Sequence, residues 1–261
     1  IHPIIWSIKM LEDHLMTGAI PVSNLKKSPF SLAELKDSLR SFGMIPLCIF
    51  RPGPNDGVPD IEPGLPAKTL ILTGNAGPEM WRAFTSSCDP ERDLLDNWSA
   101  MVLGGLATQY GAVVHYPWKR PYLPFQQWAR HSGQVYNSPL GINIHVKYGL
   151  WHGYRGALAF AEVLEIPERE YATHPCESCS DRTCLNACPV GAFSREGYDV
   201  PACVANLLKP SGQDCLMQAC RSRRACPVGR DYQYEPAQAR FHIGNFLLKH
   251  RTVAARSNHV K

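Results

Sequence analysis

The sequence is poor in charge and has no long apolar run. Of its 261 residues 19% are charged and 44% hydrophobic, and no stretch reaches the roughly eighteen apolar residues of a membrane-spanning helix. A soluble chain of one or two domains with a sizeable core is therefore expected. The opening IHPIIWSIKM has neither a basic lead nor a small-residue cleavage site, so a cytoplasmic location is expected and no membrane partner. No G-x-G-x-x-G follows a strand and no G-x-x-x-x-G-K-[ST] occurs, which removes the dinucleotide and P-loop classes but leaves flavin open. A net charge of +4 is mild, and WKRPY (118–122) and RSRR (221–224) are too short to form the basic and aromatic patch of a nucleic-acid binder. Nucleic acid is not an expected partner.

What is present has helical and strand periodicities. Ser31 with Glu34 makes a capping box ahead of Leu35, Leu39 and Phe42, predicting a helix. The runs 44–50 and 68–74 read as buried strands around an exposed Pro- and Gly-rich loop, 52–66. Leu94, Leu95, Trp98, Met101, Val102 and Leu106 give the apolar face of a helix over 90–109, which leads into a strand at GAVVHYP; PFQQWARH is a short helix. Residues 141–164 read as two extended segments around a glycine-containing turn. The organisation expected is an α/β domain over 1–165, a cysteine-rich module over 166–234, and a tail helix within 235–261 that packs back on the first domain.

The chain has ten cysteines. Cys48, in an apolar strand, and Cys88, in a loop, stand alone and read as ordinary thiols. The other eight fall into two groups, Cys176-x2-Cys179-x4-Cys184-x3-Cys188-Pro189 and Cys203-x11-Cys215-x4-Cys220-x5-Cys226-Pro227, both closing in Cys-Pro-Val-Gly. Zinc ribbons offer two separated C-x2-C pairs, and only one is present here. Bacterial ferredoxins use C-x2-C-x2-C-x3-C-P, in which the fourth cysteine reaches the other cluster. Despite wider spacings, two 4Fe-4S clusters are the expected cofactors. By that crossed rule Cys176, Cys179, Cys184 and Cys226 hold one, and Cys188, Cys203, Cys215 and Cys220 the other. The arginines Arg221, Arg223 and Arg224, between two ligands, are expected to dock an acidic reduced ferredoxin or flavodoxin.

A first domain of this size is expected to hold the electron acceptor. The segment SPLGINIHVKYGLWHGYRGALAF, with EVLEIPEREYATHPCESC downstream and TLILTGNAGPEMWRAF upstream, resembles the cobalamin-processing chaperone family, which removes cyanide or alkyl groups from cobalamin. The matching positions are His145, Gly149, Trp151, Arg155 and Gly156, within roughly 68–176. A strand-turn-strand followed by two cysteine groups also resembles the epoxyqueuosine reductase and reductive dehalogenase superfamily. The resemblance implies a nitroreductase-like α+β cobalamin-binding domain joined to a ferredoxin-like two-cluster module. It also implies cobalamin bound without its benzimidazole, in a pocket lined by His145, Trp151, Tyr154 and Arg155. No D-x-H-x-x-G signature is present, and EDHLMTG (12–18) reads as an ordinary helix end. The implied activity is reductive removal of cobalamin's upper ligand. Epoxyqueuosine-type or dehalogenating reduction, or a non-catalytic chaperone or electron carrier, are the alternatives.

Overall fold

The computed structural model describes residues 31–257 except 92, 93, 167 and 195, and the backbone alone from 251 onward; EDHLMTG lies outside the described residues. The capping box forms as the sequence dictates. Ser31 Oγ accepts from the Glu34 N–H at 3.2 Å while Glu34 Oε2 accepts from the Ser31 N–H at 2.6 Å, starting helix α1 (Leu32–Ser41) with Leu35 and Leu39 fully buried. Gly43, at φ +64, turns the chain into β1 (Ile45–Phe50).

After the loop 51–68 come β2 (Thr69–Ala76), α2 (Glu79–Ser87), α3 (Leu95–Tyr110), β3 (Val113–His115), α4 (Phe125–Arg130), the strands β4 (Val135–Asn137) and β5 (Asn143–His145), and β6 (His152–Phe160). One antiparallel sheet runs β1-β2-β6-β3, with Thr69 opposite Phe160 and Ala76 opposite His152. The central strand β2 is buried on both faces. Ile71 points into a core with Leu35, Met80, Phe84, Trp98, Leu103 and Leu158, and Leu70 and Leu72 point into another with Cys48, Phe50, Phe125 and Trp128. Period-two alternation thus sends successive side chains to two different helical layers, α1 to α3 on one side and α4 on the other. Trp128 Nε1 donates to Asp56 O at 2.7 Å, pinning the 51–68 loop over the second layer.

The two extended segments foreseen in 141–164 exist, yet they are not each other's partners: β5 pairs with β4, and β6 with β2 and β3. Helix α3 also begins later than its apolar pattern implied. Leu94 and Met101 are exposed, the buried face is carried by Leu95, Trp98, Leu103 and Leu106, and Gly111 in the left-handed region ends the helix.

The cysteine-rich part is short helices and one small hairpin: α5 (Thr183–Asn186), β7 (Phe193–Ser194), β8 (Gly197–Tyr198), α6 (Val200–Leu207), α7 (Gln213–Gln218) and α8 (Arg221–Ala225). The tail helix α9 (Pro236–Ser257) touches both parts. Phe241 lies 5.0 Å from Trp81 of the first domain, and the helix packs along α6 and α7 of the cysteine module. The chain is mixed α and β, and among the described residues no helix is long and apolar enough to cross a membrane.

Candidate functional site

The eight clustered thiols gather into two neighbourhoods. Burial first, then the charges of Cys226, Cys184 and Cys179, push the Cys176 thiol up to about 11. Cys184 is raised by burial, then by Cys226 and Cys179, and Cys226 by burial, then by Cys179. Cys203 in α6 is raised by burial and by Cys220, Cys188 and Cys215, and Cys215 in α7 by burial and by Cys220. None of these five shifts has a contribution from the other group, so Cys176, Cys179, Cys184 and Cys226 form one quartet and Cys188, Cys203, Cys215 and Cys220 the second. The first is closed by α5 against α8, where Thr183 Oγ1 donates to Ala225 O at 2.9 Å.

Among the described residues no three His, Cys, Asp or Glu side chains close round a single metal ion. A tetrahedral zinc site with Zn–S of ~2.3 Å would need sulfurs only about 3.8 Å apart. Four thiolates are the donor set that one 4Fe-4S centre would take, and two quartets the set for two. Thiols that burial keeps protonated must lose their protons to bind iron, so assembly of such a centre would release protons.

The first quartet rests on the segment 140–150. Cys226, Cys176 and Cys184 pack with Leu140, Ile144 and Leu150 in one apolar cluster. Two glycines permit this approach. Gly149 has φ +56, and a Cβ there would lie 2.6 Å from Val228 C and closer still to its O; Gly229 has φ +74, and its Cβ would overlap the Tyr148 backbone. Arg223 Nε donates to Leu150 O at 2.7 Å.

Beneath this seam lies a chain of neutral hydrogen-bonding side chains. His145 Nδ1 accepts from the Lys147 N–H at 3.0 Å, which leaves its proton on Nε2. His152 Nδ1 is 3.1 Å from Gly149 O; a carbonyl only accepts, so Nδ1 carries the proton and Nε2 accepts from the Tyr154 hydroxyl at 3.4 Å. Tyr154 in turn accepts from Asn143 Nδ2 at 2.9 Å. Burial pushes His145 down to about 4, helped by Lys147, and His152 to about 3, helped by His145 and Arg223. Burial raises Tyr154 to about 12.

The four residues expected to line a corrin pocket are not one wall. His145 and Tyr154 belong to the chain just described. Trp151, 1% exposed, faces the cysteine module, with the Arg223 guanidinium 4.5 Å from its ring and 4.5 Å from that of Tyr234. Arg155 sits at an irregularity in the β2–β6 pairing and turns toward α3, whereas Tyr154 packs with the other layer, beside Leu72 and Trp128. There it pairs with Asp96 of α3, donates from Nε to Ser99 Oγ at 3.0 Å and lies 4.8 Å from the Trp118 ring. Its charge is spent bracing the sheet to α3 and is not free for a phosphate or carboxylate. The three module arginines also part company. Arg221 and Arg224 both close on Asp214, holding that carboxyl below its usual value through the Arg221 hydrogen bond first, while Arg223 turns inward.

Sequence reasoning passed over His152, Asn143, Tyr234, Gln238 and His242. Four polar atoms at this junction are buried without a partner: Trp151 Nε1, Ser222 Oγ, Gln238 Oε1 and His242 Nε2. Each costs about 1–3 kcal/mol unless matched, and together they mark where polar ligand atoms would be accepted. An open cleft of about 400 Å³ lies elsewhere, at Arg40, Ser41, Glu79, Arg82 and Ser86, but Arg82 there is already held by Glu79 and Glu235 and Arg40 by Asp37. Compared with protein-family models the chain matches none, and comparison with curated proteins also finds no match.

Proposed function

We propose that the chain is an iron–sulfur reductase that strips the upper axial ligand from cobalamin bound without its benzimidazole. The observation that carries this reading is contact: Cys176, Cys184 and Cys226 of the first quartet pack directly on Leu140, Ile144 and Leu150, within the segment that resembles cobalamin-processing proteins. In this reading Cys176, Cys179, Cys184 and Cys226 hold one 4Fe-4S cluster and Cys188, Cys203, Cys215 and Cys220 the other. When bound, the clusters supply single electrons at low potential. The chain's own residues do the rest. The Val228–Gly229 turn against Tyr148–Gly149 keeps water from the seam. The unpaired atoms of Trp151, Ser222, Gln238 and His242 suit a substrate rich in amide groups, which donate and accept alike. The Tyr154 hydroxyl and His152 Nε2 hold a proton beside the seam.

For cyanocobalamin one electron takes Co(III) to Co(II), and cyanide departs with the electron pair of the Co–C bond, to be protonated in water. Reduced ferredoxin or flavodoxin is the class of donor. The test is anaerobic reconstitution, which should give about eight iron and eight sulfide per chain. Cyanocobalamin plus reductant should then show the visible spectrum of cob(II)alamin. Cys184→Ser and Cys226→Ser should each remove the same half of the iron and stop decyanation while cobalamin binding persists. Stoichiometric zinc without sulfide, or equal decyanation by cluster-free protein, would overturn the reading. Reduced clusters that leave cobalamin untouched would reduce the chain to an electron carrier.

A further inference from the structure

Arg223 turns inward with a charge that no carboxylate meets among the described residues. Asp214 is taken by Arg221 and Arg224, and Glu235, next to Tyr234 in the chain, by Arg82. Arg223 spends Nε on Leu150 O, and its guanidinium lies 4.5 Å from the rings of Trp151 and Tyr234, so neither Nη has a hydrogen-bond acceptor among the described residues. The junction gathers round Tyr234. Its ring is 5.4 Å from Trp151 and 5.4 Å from His242, and its hydroxyl accepts from Asn75 Nδ2 at 3.0 Å.

The unmet atoms here differ in kind. Trp151 Nε1 can only donate, and Ser222 Oγ can do either. Gln238, fully buried one turn before His242 on α9, points Nε2 at Gly77 O, 3.5 Å away; a carbonyl only accepts, so the unmet Oε1 is the amide's acceptor. Amide groups answer such atoms but not the charge on Arg223, which calls for an anion. A bare anion would in turn be repelled by Gln238 Oε1. Carboxylate and sulfate carry no proton near neutral pH, whereas a phosphate group with its second ionisation near pH ~6 still does.

We propose that this junction binds a phosphate group that keeps a proton, Arg223 and Trp151 Nε1 donating to its oxygens and Gln238 Oε1 accepting from its P–OH. The site goes beyond the reductase reading and needs neither cluster nor cobalamin. Free phosphate and a phosphomonoester share this chemistry.

The test is isothermal titration calorimetry of the full chain at pH 6 and constant ionic strength, with inorganic phosphate, glycerol 3-phosphate and sulfate. One of the two phosphates should bind at one site per chain, about tenfold or more tighter than sulfate, and the tighter of them names the source. Arg223→Gln should weaken that binding by about tenfold or more. Gln238→Met, which keeps the side chain's size and loses the acceptor, should erase the preference over sulfate, and it carries the expectation should Arg223→Gln fail to fold. No saturable phosphate binding, or phosphate and sulfate acting alike as excluded salts do, would overturn the inference. The titration reads neither iron nor decyanation, so its failure leaves the reductase reading standing.

Discussion

Gly149→Ala and Gly141→Ala form a matched pair that measures the seam between the two parts. Both glycines lie in the left-handed region, Gly149 at φ +56 and Gly141 at φ +74, so both alanines pay the same class of backbone strain, about 1–2 kcal/mol. Roughly 0.4–1 kcal/mol of that is returned because alanine narrows the unfolded ensemble. Gly141→Ala meets nothing within 4 Å and should cost about 1 kcal/mol net. Gly149→Ala adds a methyl 2.6 Å from Val228 C, where ordinary contact begins at 3.4 Å, and the obstacle is backbone that cannot rotate away. Overpacking of this kind costs a further ~1–3 kcal/mol, giving about 2–4 in all.

For a domain of this size 1 kcal/mol moves Tm by roughly 2–4 °C. Calorimetry should therefore find Gly141→Ala lower by about 3 °C and Gly149→Ala by about 6–12 °C, the estimates following the same scaling. Proteolysis should also open the 226–230 segment in Gly149→Ala alone. Equal losses in the two variants would refute the claim that the module is seated on this turn.

Arg155→Met should lower stability by about 1–3 kcal/mol in chemical denaturation, since it removes the Ser99 bond and the Trp118 stack, while Asp96, half exposed, returns to water at little cost. An unchanged midpoint together with weakened cobalamin binding would restore the arginine to the pocket. His145 and His152 are held neutral, at about 4 and about 3 against 6.5 unfolded. The unfolded chain therefore binds more protons in that window, so the histidines should make stability fall below about pH 6.5, by up to ~1.4 kcal/mol per pH unit for each, and contribute nothing above pH 7. Urea midpoints at several pH values check the slope, and His152→Gln should remove one histidine's share of it. Burial raises the Cys48 thiol to about 12, and its Sγ donates to Trp128 O at 3.3 Å, so alkylation at pH 8 should label Cys88 and spare Cys48 until the protein unfolds.

The local elements were legible in sequence where one physical signal suffices. The Ser31–Glu34 capping box and the buried runs of β1 and β2 need only neighbouring residues to specify them. What could not be read is pairing. Periodicity says that 143–145 is extended, but not that its partner is 135–137 and not β6. In the same way GYRG reveals an arginine in a strand without revealing that Asp96, far back in the chain, neutralises it. RSRR looked like an exposed basic loop because Asp214 and the rings of Trp151 and Tyr234 are brought to it only by the fold. His152 was passed over because a histidine in an apolar strand has no distinctive spacing; its role appears only once Gly149 O and the Tyr154 hydroxyl are seen on either side of the ring.

The two Cys-Pro-Val-Gly sequences show how the same four residues acquire different work from their surroundings. At 226–229 the motif contributes Cys226 to the first quartet while Val228 and Gly229 press on Tyr148 and Gly149, so a cluster ligand and the seam share one turn. Any centre on that quartet is thereby fixed relative to residues 145–152 by close backbone packing. At 188–191 the motif contributes Cys188 to the second quartet, but Val190 is 41% exposed and Gly191, at φ +59, has nothing within 4 Å of where its Cβ would be. One turn is buried against the first domain and the other is open to a visiting protein. Under the proposed function that asymmetry sets a direction: an external donor meets the second centre, and the first, already seated, faces the substrate. Adding bulk at the open turn with Gly191→Gln should then slow reduction by ferredoxin or flavodoxin while leaving dithionite-driven decyanation intact. Equal slowing with both reductants would place the damage inside the module and remove the argument for entry at that turn.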